Sequence, residues 1–203
     1  MTCLRLGRCC FGFRRLVEMI RKFKEEGALI SFDVNFRGNL WTGQEARECI
    51  KKILPYVDVL FCSIDTARRT FEKDGSAEEI MRSFAKEYPV SIVCSTDRTV
   101  VSPKVHHFSS KIYCAKEDCF YSEPAYENIE VIDRIGSGDS YVAGVLYGLL
   151  SESGNYQRAL EYGNACSAVK NTIPGDLPSS DKAEIDDIIM GHKGQDGGLE
   201  MRR

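Results

Sequence analysis

At 203 residues, 43% hydrophobic, 28% charged and a formal net charge of −3, the chain can bury one globular core and has no basic excess that calls for nucleic acid. No apolar run approaches the roughly 18 residues of a membrane span, and the amino terminus lacks an apolar secretory stretch, so a soluble cytoplasmic domain is expected, with neither membrane nor nucleic acid as partner. The nine cysteines, Cys3, Cys9, Cys10, Cys49, Cys62, Cys94, Cys114, Cys119 and Cys166, form no C-x-x-C pair and give no zinc spacing with His106, His107 and His192; reduced thiols are expected.

From the amino terminus, Arg5, Arg8, Arg14, Arg15, Arg21, Lys22 and Lys24 face only Glu18. A basic arm for nucleic acid or an anionic membrane is one reading of this end. The other is an ordinary helix with a solvated basic face, because Leu16, Ile20 and Phe23 recur at helical spacing. The first dozen residues show no period and are expected to be poorly ordered. Gly27 predicts a helix stop, and Ala28 to Val34 a buried strand. That strand ends in the polar set Asp33, Asn35 and Arg37, within SFDVNFRGNLW. Carboxyl ends of parallel strands are where open α/β sheets bind ligands, although a polar turn capping Trp41 fits the same pattern.

Thr42 and Glu45 form a capping-box pattern that opens a helix expected to run through Pro55, followed by a buried strand over Val57 to Cys62. Ser76 and Glu79 repeat the box ahead of a helix carrying Ile80, Phe84 and Ala85 on one side, and Val90 to Cys94 reads as a third strand. Helix alternating with buried strand predicts a parallel sheet. Cys94 to Thr99 is expected to be a turn in which Ser95 and Thr96 can donate hydrogen bonds. From Val100 to Glu123, short alternating pieces predict antiparallel strands, with His106 and His107 in structural roles.

The segment IEVIDRIGSGDSYVAGVLYGLL, Ile129 to Leu150, has the order strand, glycine turn, carboxylate, helix. Glycines permit positive φ and a close anion approach, and the unpaired N–H groups of a helix N-terminus favour negative charge. Gly136, Ser137 and Gly138 therefore form a candidate anion hole, with Asp139 beside it and expected to be ionised near neutral pH. Such a carboxylate suits the acceptance of a proton from a hydroxyl attacking phosphorus. A plain helix cap accounts for Gly-x-Gly equally well. Tyr141 stands where a dinucleotide fingerprint needs its third glycine, and no Gly-Lys-Ser/Thr triplet of a Walker loop occurs. A methyltransferase-like domain would carry its glycine turn after the first strand rather than this late. Further on, Asn155 to Lys170 reads as a helix with small residues at Gly163, Ala165, Cys166, Ser167 and Ala168, suited to close packing or to bordering a flat ring. NTIPGDLP follows.

DRIGSGDSYVAGVLYGLL resembles the carboxy-terminal signature of the ribokinase-like (PfkB) carbohydrate kinases, D-T-x-G-A-G-D, with Arg134 for the usual threonine and Ser137 for the usual alanine. D-x-N-x-R followed by Leu-Trp resembles a second segment of that family, in the form seen with 2-keto-3-deoxygluconate or fructose as substrate. The resemblance implies an α/β fold: a ribokinase-like three-layer sandwich, mostly parallel, with helices on both faces. It implies Asp139 as catalytic base, the Gly136–Gly138 amides as anion hole, and Arg37, Asp139 and Asp176 as substrate contacts. ATP would meet Asn35, Arg37, Ser95, Thr96, Gly136 and Gly138. Magnesium would accompany the phosphates with no protein cage, since the family's N-x-x-E glutamate is absent and only Asp65 lies nearby.

The implied organisation is a poorly ordered basic segment over 1–13, the carboxy-terminal part of a kinase domain over 14–190, and a mobile tail over 191–203. The family's amino-terminal half, with its G-G-x-x-x-N sugar segment and β-lid, is expected to be missing. That would leave an unpaired strand edge that favours a homo-oligomer. The function implied is ATP-dependent phosphorylation of a sugar or sugar acid, foremost 2-keto-3-deoxygluconate. The alternative is a nucleotide-binding remnant with little turnover, because sugar binding and water exclusion depend on the absent parts.

Overall fold

The structure, a computed structural model, describes residues 10–194. The chain divides into two compact units, the first comprising Met1–Ser95 and Ile112–Phe120, the second Thr96–Lys111 and Tyr121–Arg203. The expected lack of order over 1–9 and the expected tail beyond 194 lie outside the described residues.

In the first unit, helix α1 (Cys10–Glu25) takes in residues 10–13 of the segment expected to lack order, and Phe13 is buried. Leu16, Val17 and Ile20 pack against the core, while Phe23, one of the expected helical set, stays 52% exposed. Gly27 closes α1 as predicted: its N–H donates to the Lys24 carbonyl (3.1 Å) and that of Ala28 to the Phe23 carbonyl (2.9 Å). Asp58 then receives the chain, accepting from Lys24 Nζ (2.5 Å) and from the Ile30 amide (2.8 Å).

Strand β1 (Ser31–Asp33) pairs in parallel with β2 (Val59–Phe61), Ser31 opposite Val59, and β2 pairs in parallel with β3 (Ile92–Ser102), Val59 opposite Ile92. The strand expected over 28–34 is therefore shorter and only half-buried, with Leu29 75% exposed. The reason is its place at the end of the strand order β1-β2-β3-β4-β5, where β2 is its only neighbour among the described residues.

Helix α2 (Gly43–Ile50) has the full predicted capping box: Thr42 Oγ1 accepts from the Glu45 amide (3.2 Å) and Glu45 Oε2 from the Thr42 amide (2.8 Å). The Thr42 amide, and after it the Thr42 hydroxyl donating to the same Oε2 (3.0 Å), hold the Glu45 carboxyl below its ordinary value. The helix stops short of Pro55, because a proline lacks the N–H and disfavours helix in the residue before it; a 3-10 turn, Leu54–Tyr56, takes over. Ser63 caps α3 (Ile64–Phe71), and Ser76 and Glu79 box α4 (Ala77–Glu87) as expected. Ile50, Leu54, Leu60, Ile80, Met81, Phe84 and Val93 form the centre of this unit's core. Phe71 and Phe84 meet edge to face at 5.2 Å, a geometry worth about 1 kcal/mol beyond the area buried.

The second unit opens on the latter part of β3, which runs straight through the expected turn at Cys94 to Thr99 and on to Ser102. Strand β4 (Val105–Cys114) and strand β5 (Cys119–Ser122) follow, with residues 112–120 belonging to the first unit; strands are thus present over 100–123 as expected, and β3 and β4 are longer than the pieces predicted there. Strand β6 (Tyr126–Glu130) pairs antiparallel with β4, His106 opposite Ile129, which makes the sheet mixed.

Helices α5 (Ser137–Ser151) and α6 (Tyr156–Asn171) then pack closely. A Cβ on Gly144 would come 2.5 Å from the Tyr162 carbonyl oxygen, and one on Gly163 the same distance from Val145 Cγ2. The small-residue run of α6 thus serves helix packing at Gly163. Helix α7 (Lys182–Lys193) extends past the start of the expected tail and is tied to α6 by Arg158, which bonds Asp186 (2.6 Å), and by Lys193, which pairs with the buried Glu161 (2.7 Å). Cys49, Cys62, Cys94, Cys114, Cys119 and Cys166 are free thiols. Burial pushes the thiols of Cys62 and Cys94 far up and that of Cys166 up to about 11, so these three act as apolar groups.

Candidate active site

In the second unit the glycine turn is held by contacts far apart in sequence. Gly136 caps α5 at φ 81°, a left-handed conformation that side chains disfavour. A Cβ there would overlap the backbone carbonyl of Asp176. The Asn171 carbonyl accepts from the amides of Ile132 (2.8 Å) and Asp133 (3.1 Å). The Asp133 carboxylate accepts from the amides of Ile135 (3.0 Å) and Gly175 (3.0 Å). Those two bonds, Ile135 foremost, hold the Asp133 carboxyl below its usual range. Residues 132–136 and 171–176 are thereby laced together, bringing Gly136 and Asp176 into contact.

The open side of the turn presents donors. The Ser137 amide donates back to the Arg134 carbonyl (3.3 Å), closing the turn. The amides of Gly136, Gly138 and Asp139 have no partner among the described residues. A Cβ on Gly138 would meet nothing within 4 Å, so the space above it is free. Asp139, in the first helical turn, is exposed, and its carboxylate bonds no described residue. Unpaired N–H groups at the positive end of a helix of 15 residues, next to a free carboxylate, can hold an anion and accept a proton beside it.

Positive charge gathers on the same unit. The Arg98 guanidinium lies below its usual value, through burial and then the charge of Arg134, and neither pairs with a described acid. His106, buried with an unpartnered Nδ1, is depressed by burial and by both arginines, so the neutral ring is favoured. His107 accepts from the Asn128 amide (3.0 Å), as fits a structural role.

In the first unit, the predicted polar set follows β1. The Val34 amide donates to the Phe61 carbonyl (3.0 Å), the Asn35 amide to Asp33 Oδ1 (3.1 Å) and the Leu40 amide to the Arg37 carbonyl (2.9 Å). Asn35 takes φ 38°, and the side chains of Asn35 and Arg37 are exposed. Ser95 and Thr96 sit in strand β3 rather than in a turn; Ser95 is buried, with no partner for its hydroxyl among the described residues. Asp65 lies in the first turn of α3. No group of three or more His, Cys, Asp or Glu suited to a metal ion occurs among the described residues.

Of the predicted residues, Gly136, Ser137, Gly138, Asp139, Asp176 and Thr96 belong to the second unit, and Asn35, Arg37 and Ser95 to the first. Two residues that organise the turn were not predicted, Asp133 and Lys170. Asp133 stands in the quoted motif as its first carboxylate. Lys170, a cation ending a run of small residues, was the only local signal of the second.

The chain is similar to known proteins over most of its length. The model of the pfkB family carbohydrate kinases matches residues 14–183. The 2-dehydro-3-deoxygalactonokinase of Haloferax volcanii is 28% identical over 90% of this chain and 53% of its own, and the 2-dehydro-3-deoxygluconokinase of Haemophilus influenzae 26% identical over 87% and 51%. The chain thus spans about half the length of these curated relatives. Among solved structures, 2-dehydro-3-deoxygluconokinase of Thermotoga maritima superposes with a TM-score of 0.83 at 27% identity, over 93% of this chain and 57% of that one.

Proposed function

The chain belongs to the pfkB family of carbohydrate kinases, and from that premise we propose that it transfers the terminal phosphoryl group of ATP to a hydroxyl of a sugar or sugar acid, foremost 2-keto-3-deoxygluconate. One observation carries the reading: unpartnered amides at Gly136, Gly138 and Asp139 stand at the start of α5, beside an exposed carboxylate that bonds no described residue. The substrate class is supported by the 2-keto-3-deoxy sugar kinases among the relatives.

In this mechanism the substrate oxygen attacks the terminal phosphorus, its proton passes to Asp139, and the bond to the departing ADP breaks with its electron pair on the ADP oxygen. The amides of Gly136, Gly138 and Asp139 receive the charge of the transferring group, in a helix terminus already organised for it. Asp176 is assigned to the sugar, with its backbone held against Gly136. Arg37 is assigned to the substrate carboxylate or the nucleotide phosphates, because a guanidinium binds either in a two-pronged geometry. Asn35, Ser95 and Thr96 are assigned to the nucleotide. The donors fit a phosphate; for magnesium the described residues supply no three-ligand cluster, so no residue here is assigned to the ion and no step is routed through it.

A second reading, nucleotide binding with little turnover, is favoured by the exposure of both Asp139 and Asp176, since phosphoryl transfer needs a site closed to water. One experiment separates the two: product formation from ATP with a panel of 2-keto-3-deoxygluconate, fructose and ribose, comparing the native chain with Asp139→Asn. The kinase reading expects turnover to fall by about 100-fold or more with ATP affinity retained. Equal turnover in the two proteins removes Asp139 from the chemistry. ATP binding without product from any sugar establishes the second reading.

A further inference from the structure

Lys170 is fully buried near the end of α6. An ammonium taken out of water is strongly destabilising unless its protons are met, so its surroundings are informative. Lys170 Nζ donates to the Ile173 carbonyl (2.9 Å), just past the helix end, and to the Asp133 carbonyl (3.4 Å), which lies 37 residues earlier. Asp133 and Ile173 lie within the two segments, 132–136 and 171–176, that make the glycine turn. Around them the Asn171 carbonyl holds the amides of Ile132 and Asp133, the Asp133 carboxylate holds those of Ile135 and Gly175, and Gly136 rests on Asp176.

We propose that Lys170 is a positioning residue for the anion seat: its buried ammonium pins residue 133 to residue 173, and so sets the spacing at which the amides of Gly136, Gly138 and Asp139 face a phosphate. An alkyl chain of the same length could fill the space but could not bridge the two carbonyls. The ammonium also favours the charged form of the Asp133 carboxylate, after the amides of Ile135 and Gly175 and against burial, which opposes it, so the positive group is not isolated. A mere cap of α6 would involve Ile173 alone; the bond to Asp133 is what couples the helix to the turn.

The proposal rests on the kinase reading only for its consequence, not for the clamp itself, and the test keeps them apart. Lys170→Met, in the full chain, is compared with the native protein by amide hydrogen exchange without ligand and by ATP affinity and sugar affinity measured separately. Exchange at Ile135 and Gly175 is expected to rise about tenfold, with the α5 and α6 interiors unchanged, and ATP affinity to weaken by roughly the same factor, with any loss of sugar affinity traced to Asp176, whose backbone the same clamp holds. Lys170→Arg, which keeps the charge and the N–H donors, is expected to recover part of both. It also serves as the readable variant if the methionine protein does not fold. Unchanged exchange at both amides, or a rise spread evenly through α6, overturns the clamp. Increased exchange at the two amides in a protein whose native form binds no ATP upholds the clamp and overturns the nucleotide reading.

Discussion

Two stretches of this chain carry the residues assigned to its chemistry, and they are held in different ways. Residues 132–139 of the second unit are fixed by partners far along the chain: Asn171, Lys170, Gly175 and the Asp176 backbone. Residues 33–41 of the first unit are tied to it by the Val34–Phe61 ladder bond and by Val34, Phe36 and Trp41 at the core, while the turn that carries Asn35 and Arg37 is closed by local bonds, Asn35 to Asp33 and Leu40 to Arg37. The phosphate seat is therefore part of the architecture of its unit, whereas the side chains assigned to substrate choice project from a local turn. A change in the seat should cost stability and binding together; a change at Arg37 should affect binding alone.

The largest effect that sharpens this contrast is expected at Gly136. Alanine there meets both a left-handed φ, disfavoured by about 1–2 kcal/mol, and overlap with the Asp176 carbonyl, so Gly136→Ala should lower unfolding stability by roughly 2–4 kcal/mol in a urea titration. Two residues on, Gly138→Ala has open space to fill and should stay within about 1 kcal/mol of the native chain. Equal losses from the two would mean that the turn is not wedged against residue 176.

The intermediate effect lies in the other region. Arg37→Ala removes an exposed guanidinium whose backbone alone serves the turn, so stability should hold within about 0.5 kcal/mol. Affinity for a sugar acid should fall about tenfold, the worth of a charge-assisted hydrogen bond, while a neutral sugar such as fructose is bound as before. Fluorescence or calorimetric titration with the two ligand types reads this directly. A stability loss as large as that of Gly136→Ala would show the turn to be as deeply integrated as the seat.

The same contrast explains what could be read from the amino-acid order. Thr42 with Glu45 and Ser76 with Glu79 form their capping boxes because donor and acceptor lie three residues apart, and Gly27 and Gly136 show their conformation locally. Strand limits were less legible. Only the neighbours in the sheet make β1 short and half-buried and carry β3 through Ser95 and Thr96 to Ser102. Lys170 and Asp133 were invisible as a pair, because their meeting depends on a crossing of segments 37 residues apart that no period or motif announces.

The smallest effect concerns acid. Asp133 is bonded by the amides of Ile135 and Gly175 only in the folded chain, and its folded carboxyl lies below the usual range. A depressed folded value means that the unfolded chain binds the proton more readily, so the stabilisation is complete above the ordinary carboxylate range near pH 4 and is lost as pH falls through the folded value. Asp133→Asn should accordingly flatten part of the acid limb of a stability-against-pH curve while leaving the neutral plateau lower than native. Because Asp133 ties the turn to residue 175, the acid loss should appear first as exchange at the Ile135 and Gly175 amides, before any change in the core amides around Leu60 and Phe84. Simultaneous loss at both places would show that the seat and the first unit's core open as one, and that the contrast between the two regions does not extend to their stability.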